Sequence, residues 1–383
     1  MRIIHTADWH IGKILNDYSL LEDQKYYFDQ FIAQLKELKP DALIIAGDLY
    51  DRSIPSSDAI SLLNSILCQI ILELKIKTFL ISGNHDSKER LSFVGDLLSK
   101  SGLYIAGTLS KEIKKIQLTT QNNEIANFYL LPYIEPHNIK SIYPNQEIKT
   151  HNDAIQIYCN DMIENLDTKQ INILIAHGFF QYGSINSMDE ASVGGSDLVD
   201  AKSFSKFDYV ALGHLHSART IGNEKMRYSG SPLKYSIDEA NQKKSYTIVD
   251  ITNEGLEITT KEIKPLRDVR IVEGSFDYLS NKQNHINTDD YVFANITDEQ
   301  IALHAITILK GVFPNILGLK YINLESKNVS DNLQSHAELK EKSNADLFKE
   351  FYHNAMDDEL DLEQMQYIET VFKTLKGEQD DTD

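Results

Sequence analysis

Five short polar clusters, each directly after an apolar run, constrain the fold of this 383-residue chain more than any other feature. The apolar runs have the length of buried strands, and helical patterns such as that at 58–73 separate them, which predicts an α/β layered domain. The five runs occupy residues 3–6, 42–46, 78–82, 173–176 and 209–212. Because the carboxyl ends of adjacent parallel strands meet at one edge of a sheet, we expect the five clusters to form one site.

The polar clusters supply carboxylate, amide and imidazole side chains and contain no cysteine. Seven of these side chains are candidate metal ligands, namely Asp8, His10, Asp48, Asn84, His177, His214 and His216. Such a mixture suits manganese, iron or zinc, and it holds too much imidazole for magnesium or calcium. Seven ligands are too many for one ion but fit two ions that share a carboxylate. Two ions about 3.5–4 Å apart can activate water and polarise a phosphoryl oxygen, which predicts hydrolysis of a phosphate ester.

Each motif taken alone is a weak signal. Asp-x-His occurs often by chance, Gly-Asp usually marks a turn, and His-x-His at a strand end is as often a polar rim as a pair of ligands. The five motifs in order, each after a predicted strand, favour a site over coincidence. Glycines stand directly before Asp48, Asn84 and His214, which suits sharp turns and a close approach of the backbone to the site.

The chain is acidic, with 38 Lys and Arg residues against 57 Asp and Glu residues and a net charge of −19. This balance argues against binding nucleic acid or an anionic membrane by bulk electrostatics, although bound metal could still capture phosphate locally. The two cysteines, Cys68 and Cys159, are far apart and lack ligand spacing, so we expect no disulfide framework and a reducing, cytoplasmic location. The sequence has neither a signal-peptide core nor about 20 uninterrupted apolar residues, which predicts a soluble protein.

Changes in pattern along the chain predict four segments. Residues 1–265 carry the alternating strands and helices and end in a hairpin before a proline. Residues 266–326 contain three strand patterns and a helical pattern at 300–310, which predicts a small α+β unit. A polar stretch at 327–343 is the expected linker. Residues 344–383 carry two amphipathic helical patterns and an acidic end, and their apolar stripes predict docking to a partner.

The order of the motifs resembles that of the calcineurin-like metallophosphoesterases: Asp-x-His, Gly-Asp-x-x-Asp, Gly-Asn-His-Asp, a single histidine and Gly-His-x-His. Within this superfamily, further segments resemble the SbcD family of nuclease subunits. They are His-Thr-Ala-Asp-Trp-His-Ile-Gly at 5–12, Gly-Gly-Ser-Asp-Leu-Val at 194–199, Asp-Tyr-Val-Ala-Leu-Gly-His-Leu-His at 208–216 and Arg-Tyr-Ser-Gly-Ser-Pro at 227–232. The resemblance covers essentially the whole chain. It implies a four-layer α-β-β-α metallophosphoesterase sandwich with a small α+β capping domain and C-terminal helices.

The resemblance also implies a role for each residue of the site. One ion would take Asp8, His10, Asp48 and His216, and the second would take Asp48, Asn84, His177 and His214, with Asp48 bridging. His85 matches the catalytic histidine of the family, which stays off the ions and stabilises the transition state or protonates the leaving oxygen. Asp51 and Asp86 are expected to orient imidazoles by accepting their N–H bonds. The expected cofactors are two divalent metal ions, with Mn2+ as the preferred identity.

For the protein as a whole, the resemblance implies a DNA nuclease that works with an SbcC-type coiled-coil ATPase. The expected activities are 3'-5' double-strand exonuclease and single-strand and hairpin endonuclease cleavage, in DNA repair, recombination and replication. Residues 266–326 would cap the site and guide DNA, and residues 344–383 would dock on the partner's coiled coil. We expect a homodimer, a heterotetramer with the ATPase, and no membrane association.

Two other functions remain open from the residues alone. A small-molecule phosphodiesterase or phosphomonoesterase of the same superfamily would share every metal ligand, although it would have no need of docking helices. A non-catalytic scaffold on the same fold typically loses ligands, whereas all seven are present here.

Overall fold

The computed structural model describes residues 1–93, 95–119, 125–182, 197–252 and 255–324, and beyond these only residues 348, 349, 352, 364, 365, 367, 368 and 372. The linker expected at 327–343 and nearly all of the helices expected at 344–383 lie outside the described residues. The chain divides into two compact units. The first comprises Met1–Ile271, Ile286–Phe293 and Phe313–Gly318, and the second comprises Val272–His285, Ala294–Val312 and the residues from Leu319 onward.

Strands and helices are numbered in chain order over the described residues. The strands are β1 (Arg2–Thr6), β2 (Ile14–Leu15), β3 (Tyr18–Ser19), β4 (Ala42–Ile45), β5 (Lys77–Ile81), β6 (Leu103–Ala106), β7 (Lys114–Thr119), β8 (Ile125–Leu131), β9 (Ile171–His177), β10 (Phe179–Gln181), β11 (Leu198–Asp200), β12 (Tyr209–Gly213), β13 (Arg219–Ile221), β14 (Asn223–Tyr228), β15 (Ser245–Thr252), β16 (Gly255–Glu262), β17 (Val269–Gly274), β18 (Tyr291–Ile296) and β19 (Ile316–Tyr321). The α-helices are α1 (Leu21–Leu38), α2 (Ser57–Cys68), α3 (Lys88–Ser92), α4 (Gly95–Ser99), α5 (Pro136–Ile142), α6 (His151–Glu164), α7 (Phe276–Ser280) and α8 (Ala305–Lys310). Every helix within the described residues is too short or too polar to traverse a bilayer.

Two six-stranded sheets form the centre of the first unit. The first sheet has the order β16-β15-β1-β4-β5-β6, and the second has the order β13-β14-β12-β9-β8-β7. Strands β1, β4, β5 and β6 run parallel in the first sheet. Strands β8, β9, β12 and β14 run parallel in the second sheet. The carboxyl ends of the parallel strands therefore gather at one edge of each sheet, where we expected the polar clusters.

Successive side chains of the central strands point into different cores, because strand side chains alternate between the two faces of a sheet. Along β1, Ile3 lies in the core between the sheets and Ile4 lies in the core beneath the helices α1 and α2. Along β12, Ala211 lies between the sheets and Val210 lies in a third core shared with α6. Helix, sheet, sheet and helix are thus stacked in four layers, which confirms the predicted α-β-β-α sandwich.

The first long helix follows from the spacing of its apolar residues. Phe28, Phe31 and Leu35 recur at intervals of three and four residues, and all three are buried in the core beneath α1. The helix ends where Lys39 adopts a left-handed conformation with φ 46° directly before Pro40. A proline cannot continue a helix, and it disfavours helical backbone in the residue before it.

All five strands predicted from the apolar runs are present as β1, β4, β5, β9 and β12, and the predicted hairpin is present as β15 and β16. Two helix predictions were wrong in their bounds. The helix predicted over 58–73 is α-helical only to Cys68 and continues as a π-helix over Gln69–Glu73. The helix predicted over 300–310 begins at Ala305, because His304 takes a left-handed conformation with φ 55° that ends the helical backbone there.

A small sheet of order β17-β18-β19 follows the two large sheets. Within the second compact unit, α7 contacts α8, and Leu279 of α7 and Leu309 of α8 are fully buried. The main-chain N–H of Phe276 at the start of α7 donates to Asp298 Oδ2 at 2.6 Å. This unit therefore has an apolar centre of its own.

Candidate metal centre

The strand ends bring all seven predicted ligands together in the first unit. Asp8 and His10 follow β1, Asp48 follows β4, Asn84 follows β5, His177 ends β9, and His214 and His216 follow β12. His177 and Gly213 are register partners of the neighbouring strands β9 and β12. Parallel pairing therefore delivers the ligands of both strands side by side, although more than 30 positions separate them along the chain.

Four of the candidate ligands adopt backbone conformations that L-residues seldom take. The φ angles are 53° for Asp8, 43° for His10, 52° for Asp48 and 110° for His214. Positive φ in residues other than glycine costs on the order of 1 kcal/mol or more each, and such residues concentrate at functional sites. The surrounding sheets hold this part of the backbone in place so that the four side chains turn toward one another.

The first group of donor atoms lies where β1 and β12 end. Asp8, His10 and His216 each offer a ligand atom within 4.8 Å of the others. The Nε2 atoms of His10 and His216 are 3.1 Å apart. Asp8 is held in place because both of its carboxylate oxygens accept from the main-chain N–H of His214, at 2.9 and 3.1 Å. Two imidazole nitrogens and a carboxylate thus converge on one small volume.

The second group lies where β4, β5 and β9 end. Asn84 Oδ1 is 3.0 Å from His177 Nε2 and 3.1 Å from His214 Nδ1. His177 is oriented by donating from Nδ1 to the Ala46 carbonyl at 2.8 Å, which leaves Nε2 directed at the site. Asp48 Oδ2 lies 3.4 Å from His177 Nε2 and 3.6 Å from His10 Nε2. The Asp48 carboxylate therefore stands between the two groups of donors.

Two glycines allow this close approach. A Cβ on Gly83 would lie 2.0 Å from Asp48 Oδ1, and a Cβ on Gly47 would lie 2.3 Å from His177 Nδ1. Gly47 also has a φ of 92°, which favours glycine. The prediction that the glycines serve close backbone approach at the site is confirmed at these two positions and at Gly213, where a Cβ would lie 2.9 Å from His177 Nδ1.

Burial and neighbouring charges set the protonation of these side chains. Burial raises the pKa of Asp8 to about 6 and lowers those of His10 to about 3 and His214 to about 4. Burial also opposes charge on His177, but the neighbouring Asp48 carboxylate outweighs burial and raises the pKa of His177 to about 9. Burial likewise acts to raise the pKa of Asp48, but His177 outweighs it and lowers the pKa of that carboxyl well below its usual range. Neutral imidazoles of His10 and His214 can donate lone pairs at neutral pH, and a proton on His177 balances the charge of Asp48. This donor set fits divalent cations, because bound cations would satisfy the same carboxylates.

His85 lies on the exposed side of the centre. Its Nδ1 donates to the main-chain carbonyl of Asp51 at 2.9 Å, and its main-chain N–H donates to Asp48 Oδ1 at 2.9 Å. The ring stands edge-on to His10 at 4.8 Å between centroids. His10, Asp51 and His85 also offer atoms within 4.8 Å of one another, but the ammonium of Lys13 already lies 2.9 Å from Asp51 Oδ1.

The two aspartates expected to orient imidazoles make other contacts. Asp86 accepts the main-chain N–H groups of Leu49, Tyr50 and Gly83, at 3.0 to 3.1 Å, and so ties the segment after Asp48 to the segment before Asn84. The carboxylate of Asp51 pairs with Lys13, and its nearer oxygen lies 3.7 Å from His10 Nδ1, beyond hydrogen-bonding distance. Asp51 does hold the imidazole of His85, but through its main-chain carbonyl oxygen and not through its carboxylate. The carboxylate of Asp51 thus binds a lysine and that of Asp86 binds main-chain N–H groups, rather than an imidazole.

Sequence reasoning missed a carboxylate that orients one of the candidate ligands. Glu239 Oε1 accepts from His216 Nδ1 at 2.9 Å, which directs His216 Nε2 at the centre. Lys244 lies 2.5 Å from Glu239 Oε2 and also donates to the His216 carbonyl at 2.8 Å. Both side chains are buried. The polar segment 236–244 that contains them is typical of a surface loop in sequence, so nothing in it indicated burial.

Comparison with protein families defines the class of the chain. Residues 1–218 match the family model of the calcineurin-like phosphoesterases, which is more than half of the chain. Residues 265–355 match a model described as the Type 5 capsule protein repressor C-terminal domain. The chain thus has a calcineurin-like phosphoesterase fold, followed by a second family module.

A curated relative narrows this class. The chain is 36% identical over 363 residues to SbcD, the D component of the SbcCD nuclease, of Staphylococcus epidermidis, and the match covers 94% of this chain and 95% of that protein. The chain therefore belongs to the SbcD family of calcineurin-like phosphoesterases, which makes it a metal-dependent phosphodiesterase of the nuclease type.

Solved structures with more distant similarity include two hydrolases. A dimetal phosphatase from Danio rerio is 11% identical, with a TM-score of 0.43 over 70% of this chain and 98% of that chain. The phosphopantetheinyl hydrolase from Mycobacterium tuberculosis is 14% identical, with a TM-score of 0.35 over 60% of this chain and 88% of that chain. The family assignment does not depend on these two similarities.

Proposed function

We propose that this chain cuts DNA at a two-ion centre, as the nuclease subunit of a complex with an SbcC-type coiled-coil ATPase. The observation that carries the proposal is the position of Asp48, whose Oδ2 lies 3.6 Å from His10 Nε2 and 3.4 Å from His177 Nε2. One carboxylate can thereby serve two ions. The S. epidermidis relative is named as a subunit of the SbcCD nuclease, which supports DNA as substrate and the ATPase as partner.

The proposed ligand sets follow the two groups of donor atoms. Asp8, His10, Asp48 and His216 hold one ion, and Asp48, Asn84, His177 and His214 hold the other. Mn2+ is the proposed identity, because a set with four imidazoles suits it better than Mg2+ or Ca2+. When bound, two such ions supply an activated water and polarisation of a phosphoryl oxygen.

His85 is the proposed catalytic residue. The Asp51 carbonyl can only accept, so His85 Nδ1 carries a hydrogen and Nε2 remains for the substrate. The hydrogen bond from the His85 main chain fixes this ring relative to the Asp48 carboxylate. A protonated Nε2 can then give its proton to the leaving oxygen as the P–O bond breaks. Asp86 contributes by holding the two ligand-bearing segments together rather than by contacting an imidazole.

The remaining parts of the chain are assigned by family membership and charge. We propose that residues 266–326 cap the site and guide DNA and that residues 344–383 dock on the coiled coil of the ATPase. The match of residues 265–355 to the second family model supports a dedicated C-terminal module. The proposed activities are 3'-5' double-strand exonuclease and single-strand or hairpin endonuclease cleavage, and with DNA as the substrate the proposed location is the cytoplasm.

A homodimer is also proposed. Ile54, Phe93 and Leu97 expose 72%, 73% and 64% of their surface, so they are apolar side chains that a second copy of the chain could cover. Two copies of the chain with two ATPase subunits would form a heterotetramer.

His85→Ala tests the proposed chemistry. The full chain, produced alone and with its ATPase, is assayed with Mn2+ on a hairpin oligonucleotide and on bis(4-nitrophenyl) phosphate, and bound metal is counted separately. Loss of a general acid should lower turnover by about 10²–10⁴-fold while both ions remain bound. His137→Ala, which removes an exposed histidine, is the control and should leave both readouts at the wild-type level.

Three outcomes would contradict parts of the proposal. Wild-type turnover in His85→Ala would remove His85 from the mechanism. Hydrolysis of the small diester without cleavage of any DNA, in the presence of the ATPase, would indicate a small-molecule phosphodiesterase. A chain that binds no divalent ion and hydrolyses neither substrate would be a scaffold.

A further inference from the structure

Part of the metal centre is open to solvent. Asp8, His10, Asp48 and His177 are buried with at most 2% of their surface exposed, whereas Asn84 and His85 are exposed. The segment that carries Asn84 and His85 is therefore a route by which a substrate can reach the donor atoms. A substrate strand that enters along this segment meets the side chains around it.

Two arginines are attached to the segment that anchors His85. Arg52 directly follows Asp51, whose carbonyl holds His85, and its Nε lies 3.7 Å from Asp51 Oδ2. Arg90, two residues into α3, donates from Nη1 to the Ser53 carbonyl at 3.3 Å. Both arginines are exposed and neither forms a close bidentate pair with a carboxylate in the described residues. Their guanidinium groups remain available to an incoming anion.

A lysine extends this positive rim toward the second group of donors. Lys88 Nζ donates to Asn138 Oδ1 at 3.2 Å and lies 5.7 Å from the centre of the Tyr133 ring. The Tyr133 ring in turn stands edge-on to His177, at 6.2 Å between centroids. The cation is therefore held beside the metal centre by an amide and a ring, and no carboxylate in the described part of the chain pairs with it.

The solvent-exposed charge of these two segments is mainly positive, in contrast to the net charge of the whole chain. Arg52, Lys88 and Arg90 lie within five residues of His85 or of its anchor Asp51, and Glu89 is the exposed carboxylate among them. Asp51 is nearly buried and is already paired with Lys13. A net charge of −19 makes a rim of three cations beside the open side of the site a specific feature rather than part of a general basic surface.

We propose that Arg52, Lys88 and Arg90 form a phosphate-binding rim that holds the sugar-phosphate backbone of the strand being cut on both sides of the scissile bond. This inference rests on the proposed function, because it takes a polynucleotide as the substrate. The partner chemistry is a chain of phosphodiesters recognised by charge rather than by base. The rim supplies locally the attraction to DNA that the acidic chain lacks as a whole.

The test compares a variant that removes positive charge from the rim with a variant that keeps the charge but changes the side chains that carry it. Arg52→Ala with Arg90→Ala removes two charges, and Arg52→Lys with Arg90→Lys keeps them. Lys77→Ala with Lys169→Ala is the matched control, because these exposed lysines lie at or before the amino ends of β5 and β9, at the opposite edge of the sheets. Binding of a fluorescent single-stranded oligonucleotide to the full chain is measured by anisotropy in EDTA, where cleavage cannot interfere.

The expected result is a change in salt dependence. Each phosphate contact steepens the fall of log affinity with log salt by about 0.7, so the slope of the double alanine variant should be shallower than the wild-type slope by about 1.4. A fourfold rise in salt should then weaken its binding about sevenfold less than it weakens wild-type binding. The lysine variant and the control should keep the wild-type slope. With Mn2+, kcat/KM of the alanine variant should fall much further for DNA than for bis(4-nitrophenyl) phosphate.

Three results would overturn the rim. The first is an unchanged slope in the double alanine variant, and the second is an equal loss in the Lys77 and Lys169 control. The third is an equal fall of kcat/KM on both substrates, which would mean that the arginines act on the centre through Asp51. Failure of the proposed function is distinguishable, because the wild-type chain would then cut no DNA even if its binding depended on the rim.

Discussion

The buried pair of Glu239 and Lys244 provides the sharpest test of how the fold holds a ligand. Glu239 binds His216 Nδ1 at 2.9 Å and Lys244 at 2.5 Å, so one carboxylate both orients an imidazole and balances a buried ammonium. Glu239→Gln keeps the volume and an acceptor oxygen but removes the charge. His216→Ala, which removes the imidazole itself, sets the upper limit of the effect on metal binding.

The cost to stability can be worked from the carboxylate. Burial acts to raise its pKa, but the hydrogen bond from His216 and the charge of Lys244 outweigh burial and lower the pKa of Glu239 from 4.5 to about 2. A shift of this size corresponds to about 3 kcal/mol of folding free energy at neutral pH. Because the folded pKa is depressed, this contribution is present above pH 4.5 and is lost as the pH falls toward 2. Glu239→Gln should therefore lower the free energy of unfolding at pH 7 by about 3 kcal/mol.

The cost to metal binding has a different signature. Loss of a carboxylate that orients a metal-ligating histidine typically lowers metal affinity about 10–100-fold, or about 1.4–2.7 kcal/mol. His216 belongs to one of the two proposed ligand sets, so only one of two ions should bind more weakly. The second ion, held by the set around Asn84, should keep its affinity.

The assay pairs metal titration with denaturant unfolding of the metal-free protein. Asn172→Ala is the matched control, because Asn172 is buried in a hydrogen-bonded network with Asn127 and Tyr129 near the amino end of β9, at the far end of that strand from His177. The control should lower stability without changing the affinity for either ion. Two ions bound to Glu239→Gln with wild-type affinity would refute the reasoning, as would an equal loss at both ions in the Asn172 control.

Two further predictions concern the centre itself. Burial acts to lower the pKa of His177, but Asp48 and Asp8 raise it to about 9. Metal binding at neutral pH must therefore displace a proton from His177, and the apparent metal affinity should rise about tenfold per pH unit up to pH 9. Calorimetry in two buffers of different ionisation enthalpy should count about one released proton, and a pH-independent affinity between pH 6 and 8 would contradict it. Gly83→Ala would place a Cβ 2.0 Å from Asp48 Oδ1, so it should abolish binding of both ions. Gly255→Ala strains the backbone at a φ of 132° but places its Cβ against no atom within 4 Å, so it is the control for strain away from the centre and should keep both ions. Retention of both ions in Gly83→Ala would contradict a bridging role for Asp48.

The convergence of the candidate ligands could be predicted from the sequence because it follows from strand direction. Asp8, Asp48 and His177 each stand at the end of an apolar run, and parallel pairing of those runs leaves only one edge of the sheets for all three. The residue types then limited the chemistry. Neither step required knowledge of a loop conformation, which is the part of a fold that local sequence specifies least.

The supporting contacts could not be predicted because they depend on which groups the loops bring close. Glu239 lies 23 residues from His216 in the chain, in a run of polar residues where every neighbour is an equally good candidate. Asp51 and Asp86 were recognised by position, but their carboxylates bind Lys13 and main-chain N–H groups. A side chain takes the nearest suitable donor, and only the folded backbone determines which donor that is.

Local sequence preferences also could not predict the strained backbone of the centre. Asp8, His10, Asp48 and His214 all have positive φ, a conformation that their own preferences disfavour by on the order of 1 kcal/mol each. Such conformations persist only where surrounding structure imposes them, and here the sheets on both sides do so. The candidate ligands are thus held near one another before any cation binds, at a cost met by the two large cores. Binding two cations then has to displace protons and ion pairs, such as that between His177 and Asp48, but need not reorganise the backbone.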